Sequence, residues 1–415
     1  MSARLDGIDW LRRGPLARLL DILDRDGEEA RVVGGAVRNA LLGEPVHEFD
    51  VATTATPDIV VARAAAAGFK SAPTGIEHGT VTVIVDGHPF EVTTLRQDVE
   101  TYGRKAKVAF GRDWRVDAER RDFTINALSA SRDGTLYDYT NGLADLKARR
   151  VRFIGDPAAR IAEDYLRILR FFRFHASYGA GAPDAAGLAA CIKAHTHLND
   201  LSRERVRMEL LKLIVARGAL SALTAMSEAG LLQMLLADVP DLASFSQMIA
   251  AETAFGLASD PVRRLGALGV NMREDAERLH ERLRLSNTER DRLISMSEGW
   301  HELPEKSADQ NLRALLYRLQ PEPYLDRVLL AYARAPQVLP EARWREIVEL
   351  PQHWTAPAFP LRAGDVMARG VEKGPKLGAV LRAAEDAWIA ADFPAGKAAH
   401  DAILDAALRM AKSAS

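Results

Sequence analysis

Glu48 and Asp50 flank Phe49, and Glu91 stands inside the run Pro89-Phe90-Glu91-Val92-Thr93. In a strand, residues two apart point to the same face. Two carboxylates side by side repel and raise each other's pKa unless a cation lies between them. Strands also disfavour acidic residues. A shared Mg²⁺ would account for the pair; so would a solvated strand end. Glu91 suits an exposed edge just after a proline. Beside the first pair it would instead complete a three-carboxylate set, of the kind that holds two Mg²⁺ ions for in-line attack on a phosphate.

Glycines and arginines offer the complementary chemistry. In Gly34-Gly35-Ala36-Val37-Arg38, two glycines let the backbone approach a ligand. The helix they open points free N–H groups at a phosphate, and Arg38 adds a charged fork. The same turn also occurs for structural reasons alone. Arg120-Arg121-Asp122-Phe123-Thr124-Ile125-Asn126 suits ribose and triphosphate, or a salt-bridged helix start. Asp164, Arg167, Arg170 and Arg173 recur every three residues, opposite a stripe of Ile161, Tyr165, Ile168, Leu169 and Phe172 at helical spacing. They fit an ion-paired surface helix. They also fit a base-reading edge, with Asp accepting from an exocyclic amine and Arg donating to a ring nitrogen or carbonyl. One such pair serves cytosine and adenine and rejects guanine and uracil.

Positioning these groups takes a globular scaffold, and the composition supplies one. The chain has 415 residues, is 47% hydrophobic and 27% charged, and has one cysteine. That implies two to three domains and excludes disordered and collagen-like classes. It also excludes an intrachain disulfide and a Cys-based zinc site. A net charge of −2 excludes a chain that is basic throughout. Residues 1–148 carry −4, residues 149–217 carry +6 and residues 218–415 carry −4. The basic block is either a solvated helical face or a polyanion footprint. No stretch approaches the roughly 18 to 20 apolar residues of a membrane helix. Met1 to Leu20 lacks the apolar core of a signal peptide. The expectation is a soluble, cytoplasmic protein.

The elements follow from local signals. Arg31 to Val33 reads as a strand and Ala36 to Leu42 as a helix. Thr56-Pro57 opens a helix that ends near Ala67, before Gly68. Thr80 to Val85 and Phe90 to Leu95 are strands joined by Asp86-Gly87, a hairpin signal. Gly134 to Tyr139 and Val151 to Ile154 are further strand candidates. From Asp156 onward the pattern is helical, with a capping box at Ser286-Asn287-Thr288-Glu289. Prolines 321, 336, 340, 351 and 357 interrupt it, and Leu361 to Met410 is Ala-rich and helical. No repeat of solenoid period occurs. The fold class is α+β: a small α/β head followed by a long all-helical body.

Taken in order, the motifs resemble the class II nucleotidyltransferase family of tRNA CCA-adding enzymes and bacterial poly(A) polymerases. The resemblance is close over about residues 31 to 215 and looser at Gly374-Pro375-Lys376-Leu377-Gly378. It implies a nucleotidyltransferase head at 1–155 with a mixed sheet, a base-recognising neck at 156–225, and a tRNA-binding body and tail at 226–415. By position, Gly35 and Arg38 match the nucleotide-phosphate motif. Glu48 and Asp50 match the magnesium-binding Asp-x-Asp pair, and Glu91 the third acid. Arg121, Asp122 and Asn126 match the ribose motif, and Asp164 and Arg167 the pair that reads CTP or ATP. Arg170 and Arg173 match arginines near the triphosphate, and Ser202 to Leu213 the next helical motif. The implied activity is template-independent addition of CCA to tRNA from CTP and ATP, with Mg²⁺. The tRNA acceptor arm is the macromolecular partner, and no protein partner is implied. Gly-Gly-Ala-Val-Arg resembles the CCA-adding side, and Asp98 to Trp114 resembles the flexible loop needed for the final A. Two positions depart: Asn39 stands where the family usually has Asp, and Glu48 is one methylene longer than the usual Asp. They motivate a catalytically inactive RNA-binding homologue as an alternative. The nearer alternative is a poly(A) polymerase or A-only enzyme.

Overall fold

A computed structural model describes residues 4–5, 7–75, 79–102 and 105–413, so parts of the stretches Met1 to Leu20 and Asp98 to Trp114 lie outside the described residues. The chain forms two compact units, Met1–Leu235 and Leu236–Ser415. In the first, α1 (Asp9–Arg12) and α2 (Pro15–Leu23) lead into β1 (Ala30–Val33), whose four residues are buried. Gly34 turns the chain at φ +70°, and α3 (Gly35–Leu42) begins. Then come β2 (Asp50–Thr53), α4 (Pro57–Ala66), β3 (Lys70–Gly75), β4 (Thr80–Val85) and β5 (His88–Thr94). Asp86 and Gly87 take φ of 51° and 82°, as a type I′ hairpin turn demands.

β6 (Arg96–Tyr102) and β7 (Lys105–Phe110) form a separate antiparallel ribbon. The segment expected to be a loop is therefore largely strand, with residues 103 and 104 outside the described residues. After α5 (Trp114–Glu119) come β8 (Ser129–Ala130) and β9 (Leu136–Tyr137). The main sheet has the order β3-β4-β5-β2-β1-β8-β9. β2 and β5 run parallel; the other described pairs are antiparallel. β4 buries Val81, Val83 and Val85 and leaves Thr80, Thr82 and Ile84 half-exposed, so one face packs on α2 and α4 while the other stays open.

Several strand expectations shrink. β2 starts at Asp50, so Glu48 lies in the lead-in and not in the strand. Of Gly134 to Tyr139, Leu136 and Tyr137 pair with β8, itself two residues long, and Thr135 makes one isolated bridge to Arg4. Asp138 then accepts from the N–H groups of Thr140, Gly142 and Leu143 and bends the chain into α6 (Gly142–Lys147). Among the described residues Val151 to Ile154 has no neighbouring strand; Phe153 makes one isolated bridge to Phe123.

The helical part begins with α7 (Pro157–Glu163) and α8 (Arg167–Tyr178). The single helix expected through Asp164 is broken there: Asp164 is extended, at φ −155° and ψ 106°. Its carboxylate accepts from the Leu166 N–H at 3.1 Å, a local bond by which Asp competes with helix. Tyr165 thus leaves the buried stripe and stacks on His197, while Ile161, Ile168, Leu169 and Phe172 remain buried. α9 (Ala185–Lys193), α10 (Arg203–Ile214) and α11 (Ala219–Glu228) follow, the last two packing on α8. Fully buried Phe123 packs against Phe153, Phe171 and Phe174, welding the sheet region to α8.

The second unit is helical from Leu242–Ala254 to Lys397–Ser413. The Ser286–Glu289 capping box is present, with Glu289 N–H donating to Ser286 Oγ at 3.2 Å and Ser286 N–H to Glu289 Oε2 at 2.6 Å. Its core contains buried ions, Arg263 and Arg264 on Glu252 and Arg263 and Arg292 on Asp326. The end of the chain has its own small core of Val366, Val380, Ala384, Leu404 and Ala407. Among the described residues no helix is long and apolar enough to cross a membrane.

Gly34 is the turn on which the site hangs. A Cβ there would meet Arg121 Nη1 at 3.4 Å, at a φ that side chains rarely adopt. Gly34→Ala should cost about 1–3 kcal/mol, read as a lower urea midpoint; an unchanged midpoint would contradict the strain.

Candidate active site

Parallel pairing of β2 and β5 places Asp50 directly opposite Glu91, with Thr82 on the other side of Glu91. The three side chains share the open face, since cross-strand partners point the same way. Glu48 approaches from the lead-in. Lost hydration raises the Asp50 pKa; Glu91 raises it further, Arg121 offsets part of this, and Glu48 adds a push. As they stand, no three described His, Cys, Asp or Glu side chains are close enough to hold one ion together. The donor chemistry fits a hard divalent cation: three carboxylates and no nitrogen or sulfur. Their mutual repulsion opposes closer approach until a cation lies between them.

Beside the acids lies a hollow of about 270 Å³, lined by Asp50, Glu91, Arg96, Asp117, Arg120 and Arg121 among others. Asp117 orients both arginines, at 2.6 Å from Arg120 and 3.3 Å from Arg121. Arg121 leads to the Gly34 turn and to the Asn126 carbonyl.

Arg38 is buried on α3, where its neighbour Gly35 is half-buried. It donates to Asn126 Oδ1 at 2.5 Å, Tyr178 OH at 2.6 Å and Asn39 Oδ1 at 2.9 Å. Among the described residues these acceptors are neutral, so the cation is oriented without being cancelled. Burial pulls its pKa below the usual guanidinium value. Asn39 thereby keeps an oxygen for Arg38 where an acid was the family norm.

Asp122 is buried and accepts from Asn126 Nδ2 at 3.1 Å and from Arg170 Nε and Nη2 at 2.8 and 2.5 Å. Burial works to raise its pKa. The Arg170 charge, with the hydrogen bonds from Asn126 and Arg170, outweighs this and holds the carboxyl below its ordinary value. Glu209 of α10 then holds Arg173 at 2.5 Å and lies 3.7 Å from Arg170. Arg38, Arg121, Asp122, Asn126, Arg170 and Arg173 thus belong to one connected network, with Gly35 beside it at the start of α3. The side chains of Asp164 and Arg167 turn elsewhere, Asp164 to Arg205 at 2.6 Å and Arg167 to Glu163, while the Arg167 N–H donates to the Asp164 carbonyl at 3.0 Å. The pairing expected between Asp164 and Arg167 is replaced because the broken helix turns Asp164 toward α10.

Sequence reasoning missed Tyr178, Glu209 and Asp117. Each left a trace: Tyr178 lies one turn beyond Phe174, Glu209 is one of two acids inside the Ser202 to Leu213 motif, and Asp117 sits three and four residues before the two arginines.

An arginine-lined hollow beside facing carboxylates on a mixed sheet is the arrangement a nucleotidyl-transfer type of centre requires. Residues 30–152 match the family described as "Poly A polymerase head domain", and residues 184–245 that described as "Probable RNA and SrmB- binding site of polymerase A". The chain is 35% identical over 385 residues to "CCA tRNA nucleotidyltransferase 1, mitochondrial" of Danio rerio, covering 90% of this chain and 86% of that one. It is 32% identical over 375 residues to the "CCA-adding enzyme" of Limosilactobacillus fermentum, covering 88% and 90%. The Bacillus stearothermophilus CCA-adding enzyme in complex with CTP matches with a TM-score of 0.76 at 26% identity, over 96% of this chain and 98% of that one. The chain belongs to the CCA tRNA nucleotidyltransferase family. Nucleotidyltransferases of this family generally use divalent metals.

The raised Asp50 pKa has a sign. The folded state favours protonated Asp50, so its contribution to stability is full below 3.8 and is lost as pH rises through the raised folded value. Asp50→Asn should therefore stabilise the metal-free protein at pH 7, with the gain shrinking as pH falls toward the ordinary aspartate value. Thermal unfolding in a chelator across that range checks it; a gain independent of pH would contradict the assignment.

Proposed function

We propose that this chain adds C, C and A in turn to the 3′ end of tRNA, taking CTP and ATP and releasing pyrophosphate. The observation that carries this reading is the Asp50–Glu91 register beside the Arg121–Asn126–Arg38 network: acids for metal on one side, and on the other Arg38 held by neutral acceptors with Arg121 steadied by Asp117, guanidinium groups for phosphate. The relatives' names agree with it, and they favour CCA addition over poly(A) synthesis.

Glu48, Asp50 and Glu91 would hold divalent ions, which we take to be Mg²⁺ from the all-oxygen donor set. When bound, such ions lower the pKa of an attacking hydroxyl and neutralise charge on the leaving oxygens. The chain's own groups do the rest. Arg38 and Arg121 orient the triphosphate, backed by Arg170 and Arg173. Asp122 holds Arg170 in place, and Asn126 offers a hydrogen bond to the ribose. Asp164 and Arg167 read the base by exchanging Arg205 and Glu163 for its edge. The tRNA 3′-OH then attacks the α-phosphate in line. The head at 1–155 carries this chemistry, the neck at 156–225 reads the base, and the body and tail at 226–415, with the basic block, hold the acceptor arm by phosphate and shape contacts. We assign the protein to the cytoplasm, although the Danio rerio relative is named mitochondrial.

Incubating the protein with tRNA ending at the discriminator base, CTP, ATP and Mg²⁺ should add three nucleotides and stop. A long A tail would mean a poly(A) polymerase, and no product an inactive homologue. Asp50→Ala should cut incorporation of labelled CMP by about a thousandfold or more, at about 1.4 kcal/mol per tenfold, with tRNA binding nearly intact. Normal incorporation would sink the metal assignment. Arg167→Ala should narrow the preference for CTP and ATP over UTP and GTP by about tenfold or more; unchanged preference would count against base reading.

A further inference from the structure

Asp50 and Glu91 border a second hollow, about 590 Å³ in volume, also lined by Trp10, Arg13, His47, Glu48, Phe49, Thr82, His88 and Phe90. Trp10 and Phe49 are half-buried rings with centroids 5.0 Å apart, and Phe49 lies 6.4 Å from Phe90. Arg13 is exposed at its edge. Trp10 and Phe49, with buried Phe90 behind them, build a surface at the edge of the carboxylates, in a hollow that shares Asp50 and Glu91, but none of the arginines, with the one lined by Arg96, Arg120 and Arg121.

We infer that this hollow seats the 3′-terminal base of the RNA being extended, with Trp10 and Phe49 as its stacking platform. The inference rests on the nucleotidyl-transfer reading above. In-line displacement sets the attacking hydroxyl and the leaving pyrophosphate on opposite sides of the transferred phosphorus. The two hollows meet at Asp50 and Glu91, so they provide those two sides. The arginine-lined hollow suits the triphosphate, which leaves the aromatic one for the strand that attacks. The occupant must also change at every step, since each added nucleotide becomes the next terminus. Hydrogen-bond readout would reject some of those termini. Stacking accepts them all, because every base has a π face. Arg13 stands where it can meet the phosphate preceding the terminal nucleoside.

The test is steady-state addition of CMP to tRNA lacking its 3′ end, with Trp10→Ala and Trp10→Phe beside the wild type. Trp10→Ala should raise KM for tRNA by about fivefold to a hundredfold and leave KM for CTP unchanged; Trp10→Phe should restore most of the loss. An unchanged KM for tRNA, or a rise in the KM for CTP instead, would overturn the platform. A second measurement needs no variant. Wild-type protein is irradiated with tRNA carrying 4-thiouridine as its terminal base. Adducts on Trp10 or Phe49 support the assignment, and adducts elsewhere alone overturn it. A wild type that extends no tRNA would instead overturn the parent reading, and this one with it.

Discussion

Two like charges held opposite each other across β2 and β5 are the constraint around which the head is arranged. Their spacing comes from the parallel register that pairs Asp50 with Glu91. A parallel pair cannot be closed by a tight turn; it needs a crossover. Here α4, β3 and β4 provide the crossover, and α4 with α2 also covers the opposite face of the sheet. Lost hydration first, and the facing Glu91 charge second, raise the Asp50 pKa. A site that keeps such strain without a cation is poised to take one.

Arg38 answers that constraint with the opposite charge. A buried guanidinium would ordinarily be matched by a carboxylate. Here Asn126, Asn39 and Tyr178 orient it, leaving its charge for a ligand. Farther along, Asp122, Arg170, Glu209 and Arg173 alternate in a chain, each buried acid facing an arginine. The Phe123–Phe153–Phe171–Phe174 cluster lies beneath that ladder. Apolar packing sets the distance between sheet and α8, and the ion pairs set the orientation. The two departures from the family pattern fit within this frame. Asn39 still presents an oxygen to Arg38, and Glu48 reaches the open face from outside the strand.

Local elements were legible in the sequence where local energetics decide them. The Asp86-Gly87 turn, the Gly34 turn, Pro57 at a helix start and the Ser286–Glu289 box all stand where side-chain chemistry puts them. Legibility failed where a partner was needed. Val151 to Ile154 has strand propensity but no strand beside it. Asp164 continues a helical period, yet a local carboxylate bond and the Arg205 pair pull it out of helix. The acids were identified by type, but whether Glu91 would stand beside Asp50 depended on strand order.

By itself, then, the chain's order of residues determined the α/β head, the helical remainder, the identity of the acids and arginines, and through them the family. These depend on propensity, periodicity and residue chemistry, which act over a few positions. The tertiary structure alone decided the pairings. It set Asp50 against Glu91, Arg38 on neutral acceptors, Arg170 on Asp122, and Asp164 with Arg205 rather than Arg167. It also gathered Trp10, Phe49 and Phe90, which come from three separate segments, at the edge of the carboxylates. Such contacts join residues tens of positions apart, and no local preference encodes them. They follow from sheet order, from the crossover it requires, and from burial of one face while the other stays open.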